Sequence, residues 1–106
     1  MPSGRLASAA LAATTNTTVY TVPATKTSTV NVNLCNRTSS TVTIRMALST
    51  SDTPADADWI EYDVTIPGNG VLERSALRMA VGDRIVVWSD TGSAISVVVF
   101  GIEGDV

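Results

Sequence analysis

Two acidic residues have the types and spacing that catalysis could use. Glu61 and Asp63 lie two residues apart in a segment of alternating apolar and polar residues, so we expect both on one strand face. Glycoside hydrolases use a pair of carboxyl groups in this way. Acids on the wet face of a strand are far more often there for solvation, and the chain has no histidine, the commonest general base. The sequence therefore predicts a protein that is not an enzyme and has no catalytic residues.

Three aromatic residues could instead bind a ligand. Trp59, Tyr62 and Trp88 carry flat rings of the kind that stack on sugars. Trp59 and Trp88 alternate with the main apolar rows of their segments, which puts them on the opposite strand faces. We expect them to be partly exposed or covered by a partner. Carbohydrate binding, with Trp59, Tyr62 or Trp88 as the platform, stays open as an alternative.

An acidic loop and a single cysteine are the remaining candidates for chemistry. Asp52, Asp56 and Asp58 could in principle ligate calcium, but their spacing lacks the ligand series and central glycine of an EF-hand loop. We expect a solvated loop, with no metal and no cofactor. Cys35 has no second cysteine to pair with, so we interpret it as a small residue at a half-covered or interface position. The lack of disulfides favours folding in a reducing compartment.

Length and charge limit the classes of partner. A chain of 106 residues is the size of one domain. Its net charge of -3 and its scattered basic residues argue against nucleic acid, which would need a basic stripe. No run approaches the roughly 20 apolar residues of a membrane span, so no membrane is predicted as a partner. Residues 1–15 are alanine-rich and too weakly apolar for a signal peptide, and we expect a short helix or an extended arm there.

The elements that must position these side chains are strands. Residues 29–48 show it best, because Val30, Val32 and Leu34 alternate with polar residues before the polar turn at residues 36–40. Val42, Ile44, Met46 and Leu48 repeat the alternation after that turn. We predict a β-hairpin over residues 29–48, with one apolar face that needs a cover.

Further strands follow from the same pattern. We predict them at residues 17–22, 59–66, 71–74, 84–89 and 94–102, with a hairpin turn at residues 67–70. About seven short strands with frequent turns indicate an all-β domain, a single antiparallel β-sandwich of residues 16–106 preceded by the arm of residues 1–15. Ig-like and jelly-roll-like topologies both fit. Val97, Val98 and Val99 place apolar side chains on both faces of the last strand, as in a central strand or one covered by a subunit contact.

Several segments together carry a resemblance to a known group of proteins. They are TTVYTVPA from residue 17, VNVNLCNR from residue 30, the WIEYD and GVLER stretches between residues 59 and 74, and GDRIVVWS from residue 82. Over residues 6–103 the chain resembles the small β-sandwich virion structural proteins of tailed bacteriophages, which are found beside head-decoration, neck and tail-fibre components. These segments are structural signatures, so the resemblance implies a fold and a setting without a catalytic site.

The resemblance implies a viral structural protein on the exterior of a bacteriophage virion, assembled in the host bacterial cytoplasm. A capsid decoration (cement) protein that forms a homotrimer and binds major capsid or tail and neck proteins is the expected role. The alternative is a module associated with a tail or collar fibre, or a carbohydrate-binding adsorption module that recognises a host glycan. The arm, from Pro2 to residue 15, would dock on the shell or on a neighbouring subunit. The expected oligomer or partner contacts are Leu6, Leu11, Trp59, Trp88, Val97 and Val99.

Overall fold

The chain folds into eight strands, and the computed structural model describes residues 3–105. The strands are β1 (Ser3–Ala10), β2 (Thr17–Thr21), β3 (Lys26–Asn36), β4 (Val42–Ser49), β5 (Trp59–Ile66), β6 (Val71–Met79), β7 (Arg84–Ser89) and β8 (Ile95–Asp105). A single turn of 3-10 helix, Asp56–Asp58, precedes β5. Within residues 3–105, no helix is long and apolar enough to cross a membrane.

The strands form two four-stranded antiparallel sheets. One sheet has the order β1-β8-β3-β6 and the other the order β2-β7-β4-β5. The first strand pairs with the last, the second with the seventh, the third with the sixth and the fourth with the fifth. This is the connectivity of a long hairpin rolled up on itself, the eight-stranded jelly roll. The predicted antiparallel β-sandwich is confirmed, and of the two topologies left open the chain adopts the jelly roll.

The predicted hairpin over residues 29–48 is wrong in its pairing. β3 lies in one sheet and β4 in the other, so the turn between them crosses the sandwich. The turn at residues 67–70 also crosses, because β5 and β6 belong to different sheets. Alternation with a period of two shows which side chains face the core, but it is the same whether two strands lie side by side or face to face. Among the described strands, β4 and β5 are the consecutive pair that share hydrogen bonds.

The core lies between the sheets and consists of their inward rows. Val30, Val32 and Leu34 of β3 are at most 1% exposed, as the alternation predicted. The facing sheet contributes Val42, Ile44 and Met46 of β4 and Ile85 and Val87 of β7, all equally buried. Each aliphatic side chain of this size stabilises the fold by roughly 1.5–3 kcal/mol when it is removed from water. These rows hold the two sheets together.

The alanine-rich N-terminal segment is part of the sandwich. Ser3–Ala10 forms β1 at the edge of one sheet and pairs with β8, and Leu11, 2% exposed, fills the core directly after it. The structure therefore differs from the predicted arm of residues 1–15. Alanine favours a helix, but strand pairing with β8 outweighs that weak local preference. Pro2 lies outside the described residues.

Three of the predicted contact residues face the interior. Leu11, Val97 and Val99 are at most 2% exposed within a single chain, so they are not available to a partner in this fold. For Val97 and Val99 the reason is that β8 is an inner strand of its sheet, and the opposite sheet covers its inward row. Leu6 is half-buried and packs against the core.

Candidate functional site

A β-bulge in β5 organises the outer face of the β2-β7-β4-β5 sheet. Val64 lies opposite Ile44 and Glu61 lies opposite Met46, which leaves two residues, Tyr62 and Asp63, opposite the one residue between Ile44 and Met46. Asp63 takes a positive φ of 54°, a conformation that Asp tolerates better than most residues. The bulge reverses the alternation of β5 at this point. Both Tyr62 and Asp63 are exposed, while Glu61 is 7% exposed.

The bulge separates the two acids that were predicted to share a face. Asp63 points to solvent, whereas the buried carboxylate of Glu61 forms an ion pair with Arg74 of β6, in the other sheet. β6 has its own irregularity, at which Ala76 has a φ of 58° and its amide donates to Asn31 Oδ1 at 3.0 Å. The two irregular edge strands thus bring Glu61 and Arg74 together across the open side of the sandwich. The Glu61–Arg74 ion pair joins two sheet edges. Glu61 is buried and Asp63 is exposed, so the two carboxylates do not lie on one face.

Arg45 occupies the centre of the outer face. Its guanidinium carbon lies 4.3 Å from the ring centroid of Tyr62 and 4.2 Å from that of Trp88. Arg45 Nε donates to Asp63 Oδ1 at 2.6 Å, and this hydrogen bond is the main cause of the raised pKa of Arg45. The guanidinium is therefore a permanent cation, held between two rings and neutralised by Asp63.

Trp59 extends the group of aromatic residues. Its ring centroid lies 5.5 Å from that of Tyr62, with the two planes at 72°, an edge-to-face arrangement. We refer to Arg45, Trp59, Tyr62, Asp63 and Trp88 as the aromatic–arginine cluster. Next to it, Asp56, Trp59 and Tyr62 line an open surface depression of about 300 Å³. Tyr62 is 55% exposed and is the more accessible of the two aromatic walls, since Trp59 is half-buried.

The three aspartates of the acidic loop before β5 have different surroundings. Asp52 Oδ1 accepts hydrogen bonds from Thr18 Oγ1 at 2.6 Å and Arg84 Nη1 at 2.9 Å, which lower the pKa of Asp52 in that order of importance. Asp58 Oδ2 accepts from the amide of Ala55 at 2.9 Å. Asp56 lines the depression beside Trp59 and Tyr62. Across residues 3–105, no three His, Cys, Asp or Glu side chains are grouped so that they could hold a metal ion.

A second polar pair lies inside the sandwich, between β2 and β8. The hydroxyl of Tyr20 donates to Glu103 Oε2, and both residues are 7% exposed. Burial, followed by this hydrogen bond, raises the pKa of Tyr20 to about 12. Since the pair is enclosed, it joins the two sheets rather than facing a ligand.

Ionisation of Tyr20 should destabilise the protein in alkali. A tyrosine whose pKa is raised on folding contributes stability that is fully present below its unfolded pKa of about 10 and is lost as the pH rises through about 12. We expect the Tm of the wild type to fall between pH 10 and pH 12 by several degrees more than the Tm of a Tyr20→Phe variant. Thermal unfolding followed by circular dichroism at each pH measures the difference. Equal slopes for the two proteins would contradict this account.

The structure brings together the three predicted platform residues. Trp59, Tyr62 and Trp88 lie on one outer face, although Arg45 covers one ring face of Tyr62 and of Trp88. Sequence reasoning did not single out Arg45 or assign Asp56 to this face. Arg45 alternates with buried residues in β4, which indicates its outward direction, but nothing local indicates which residues of β5 and β7 lie beside it.

Comparison with protein-family models, with curated proteins and with solved structures found no match for this chain.

Proposed function

We propose that this protein is a non-enzymatic structural protein of a tailed-bacteriophage virion, located on the particle exterior and assembled as a homotrimer that decorates the capsid. The observation that carries the proposal is the jelly-roll connectivity of the sheets. Viral capsid domains use this architecture, as do lectins. Because a fold hosts many functions, the topology supports this role only together with the resemblance over residues 6–103. A place on a tail or collar fibre is the alternative within the same class.

The outer face of β8 offers a surface for the contact between copies. Val98, Phe100 and Ile102 form an outward row, which we call the β8 outer row, along an inner strand of the sheet. Val98 and Phe100 are half-buried, and Ile102 is 47% exposed. An antiparallel sheet with a solvated outer face usually carries polar residues there. Pairing with a second copy would remove this apolar row from water.

The mass of the native protein tests the oligomer. We expect a trimer for the wild type by native mass spectrometry and monomers for an Ile102→Asp variant, because the new carboxylate would be buried unpaired in the contact. Ile60→Asp is the matched control, since Ile60 is 41% exposed and lies in the other sheet, in β5. It should remain trimeric. A monomeric wild type would contradict the oligomer, and a trimeric Ile102→Asp variant would exclude the β8 outer row as the contact.

Immunogold labelling of intact purified particles tests the location. Antibodies against the folded protein should label the capsid exterior, and labelling of the tail or collar would select the alternative. An absence of the protein from purified particles would contradict the virion role. Deletion of residues 2–15 is not a clean test of docking, because it removes β1 and the buried Leu11 and so disrupts the fold.

A further inference from the structure

The depression beside the aromatic–arginine cluster has the composition of a small ligand site. We propose that Asp56, Trp59 and Tyr62 bind a neutral saccharide, with Arg45 as a positioning residue behind Tyr62. This binding function goes beyond the proposed structural role, which requires no ligand at this face. The residues involved lie on the β2-β7-β4-β5 sheet and in the loop before β5. The β8 outer row belongs to the other sheet.

The aromatic walls suit the apolar side of a sugar ring. Tyr62 is 55% exposed, and its plane meets that of Trp59 at 72°, so the two rings form a corner. The carbon-bound hydrogens of a pyranose pack well against such rings, because aromatic faces carry partial negative charge. The volume of about 300 Å³ is at the lower end of the range for small-molecule pockets, whose linings are mostly aromatic or apolar with a few polar groups.

The cluster holds one wall of the corner in place. Arg45 lies against the ring of Tyr62 at 4.3 Å and is itself held by Asp63 and by the ring of Trp88. A wall that is ordered before the ligand arrives loses less conformational entropy on binding. Arg45 affects saccharide binding by holding the Tyr62 ring in place. Its own positive charge is paired with the carboxylate of Asp63.

The charge at the depression selects neutral sugars over acidic ones. Asp56 supplies a carboxylate at the rim, and Asp58 of the same turn adds a second negative charge nearby. Sugar hydroxyl groups can donate hydrogen bonds to a carboxylate, which is an acceptor only. A uronic acid or a sialic acid would bring like charge to this rim, and the net charge of -3 adds to the repulsion.

Titration of the full-length protein with single sugars tests the proposal. The probes are glucose, galactose, mannose and N-acetylglucosamine, each at millimolar concentration, with glucuronic acid and N-acetylneuraminic acid as the charged comparison. Protein-detected NMR reports binding through the indole N–H signal of Trp59. We expect saturable binding of at least one neutral sugar with a millimolar Kd and no saturation by the acidic sugars.

Variants separate the binding site from the fold. Tyr62→Ala should weaken binding roughly tenfold or more, and Asp56→Asn should weaken it several-fold. Val81→Ala, a change at another exposed apolar residue, should leave the Kd unchanged. Arg45→Lys should raise the Kd with an unchanged Tm and should alter the NMR signals of the Tyr62 ring, a readout that marks a positioning role.

Three results would overturn the proposal. These are no saturable binding of any neutral sugar in the panel, an unchanged Kd in Tyr62→Ala, or tighter binding of the acidic sugars. Native mass and particle labelling are separate measurements, so a failure of saccharide binding is distinguishable from a failure of the virion role.

Discussion

A Gly101→Ala substitution should cost roughly 3–5 kcal/mol of the free energy of unfolding. Gly101 lies opposite Val30 in the ladder between β8 and β3 and has a φ of 155°. An added Cβ would lie 2.2 Å from the carbonyl oxygen of Thr29 and 2.8 Å from the Cα of Val30. Both atoms belong to the backbone of β3, so relief of the clash requires the two inner strands to separate.

Gly104→Ala is the matched control in the same strand. A Cβ at Gly104 would meet no atom within 4 Å, so we expect its stability to stay within about 0.5 kcal/mol of the wild type. Urea unfolding with linear extrapolation measures both variants. Since domains of this size are stable by about 5–15 kcal/mol, the Gly101 variant should unfold at a much lower urea concentration or fail to fold. Equal midpoints for the two variants would contradict the close approach of β8 and β3.

The second large effect is expected at Asn36, at the end of β3. Its side chain is 1% exposed, and Nδ2 donates to the carbonyl oxygens of Ser40 at 2.8 Å, Ile66 at 3.0 Å and Pro67 at 3.2 Å. Oδ1 accepts from the amide of Thr38 at 3.0 Å and from its hydroxyl at 2.8 Å. One amide group therefore joins two of the turns that cross the sandwich at this end, the β3–β4 turn and the β5–β6 turn.

Asn36→Asp keeps the shape of the side chain and removes its donors. A buried carboxylate would then face three carbonyl oxygens, and we expect a loss of roughly 3–5 kcal/mol at pH 7. A protonated carboxyl group regains one donor, so the deficit relative to the wild type should shrink as the pH is lowered. Asn16→Asp, a change at an exposed residue, should have little effect. A loss that does not depend on pH would contradict this explanation.

The sequence predicted most strands because their signals are local. The alternation of Val30, Val32 and Leu34 defines an inward row wherever β3 is placed. The predicted span of residues 84–89 coincides with β7 for the same reason. β1 was missed because alanine and serine carry no alternating pattern, and its strand conformation depends on β8, more than 80 residues further along the chain.

The candidate site was only partly predictable. The sequence indicated that Trp59 and Trp88 face away from the core, but it assigned Tyr62 to the same face as Ile66, which is buried. The bulge at Tyr62 and Asp63 could not be predicted from the local sequence, because residues 59–66 contain no glycine or proline. It arises from the pairing of β5 with β4, and that pairing places Tyr62 beside Arg45.

By itself, the sequence determined a single antiparallel β-sandwich with aliphatic inward rows, because strand alternation and turn chemistry depend on neighbouring residues. Only the tertiary structure decided the jelly-roll connectivity, the burial of Leu11, Val97 and Val99, and the assembly of the aromatic–arginine cluster. Each of these depends on which distant strands lie side by side. Register and bulges come from packing over the whole chain, and a period of two is the same for every possible pairing.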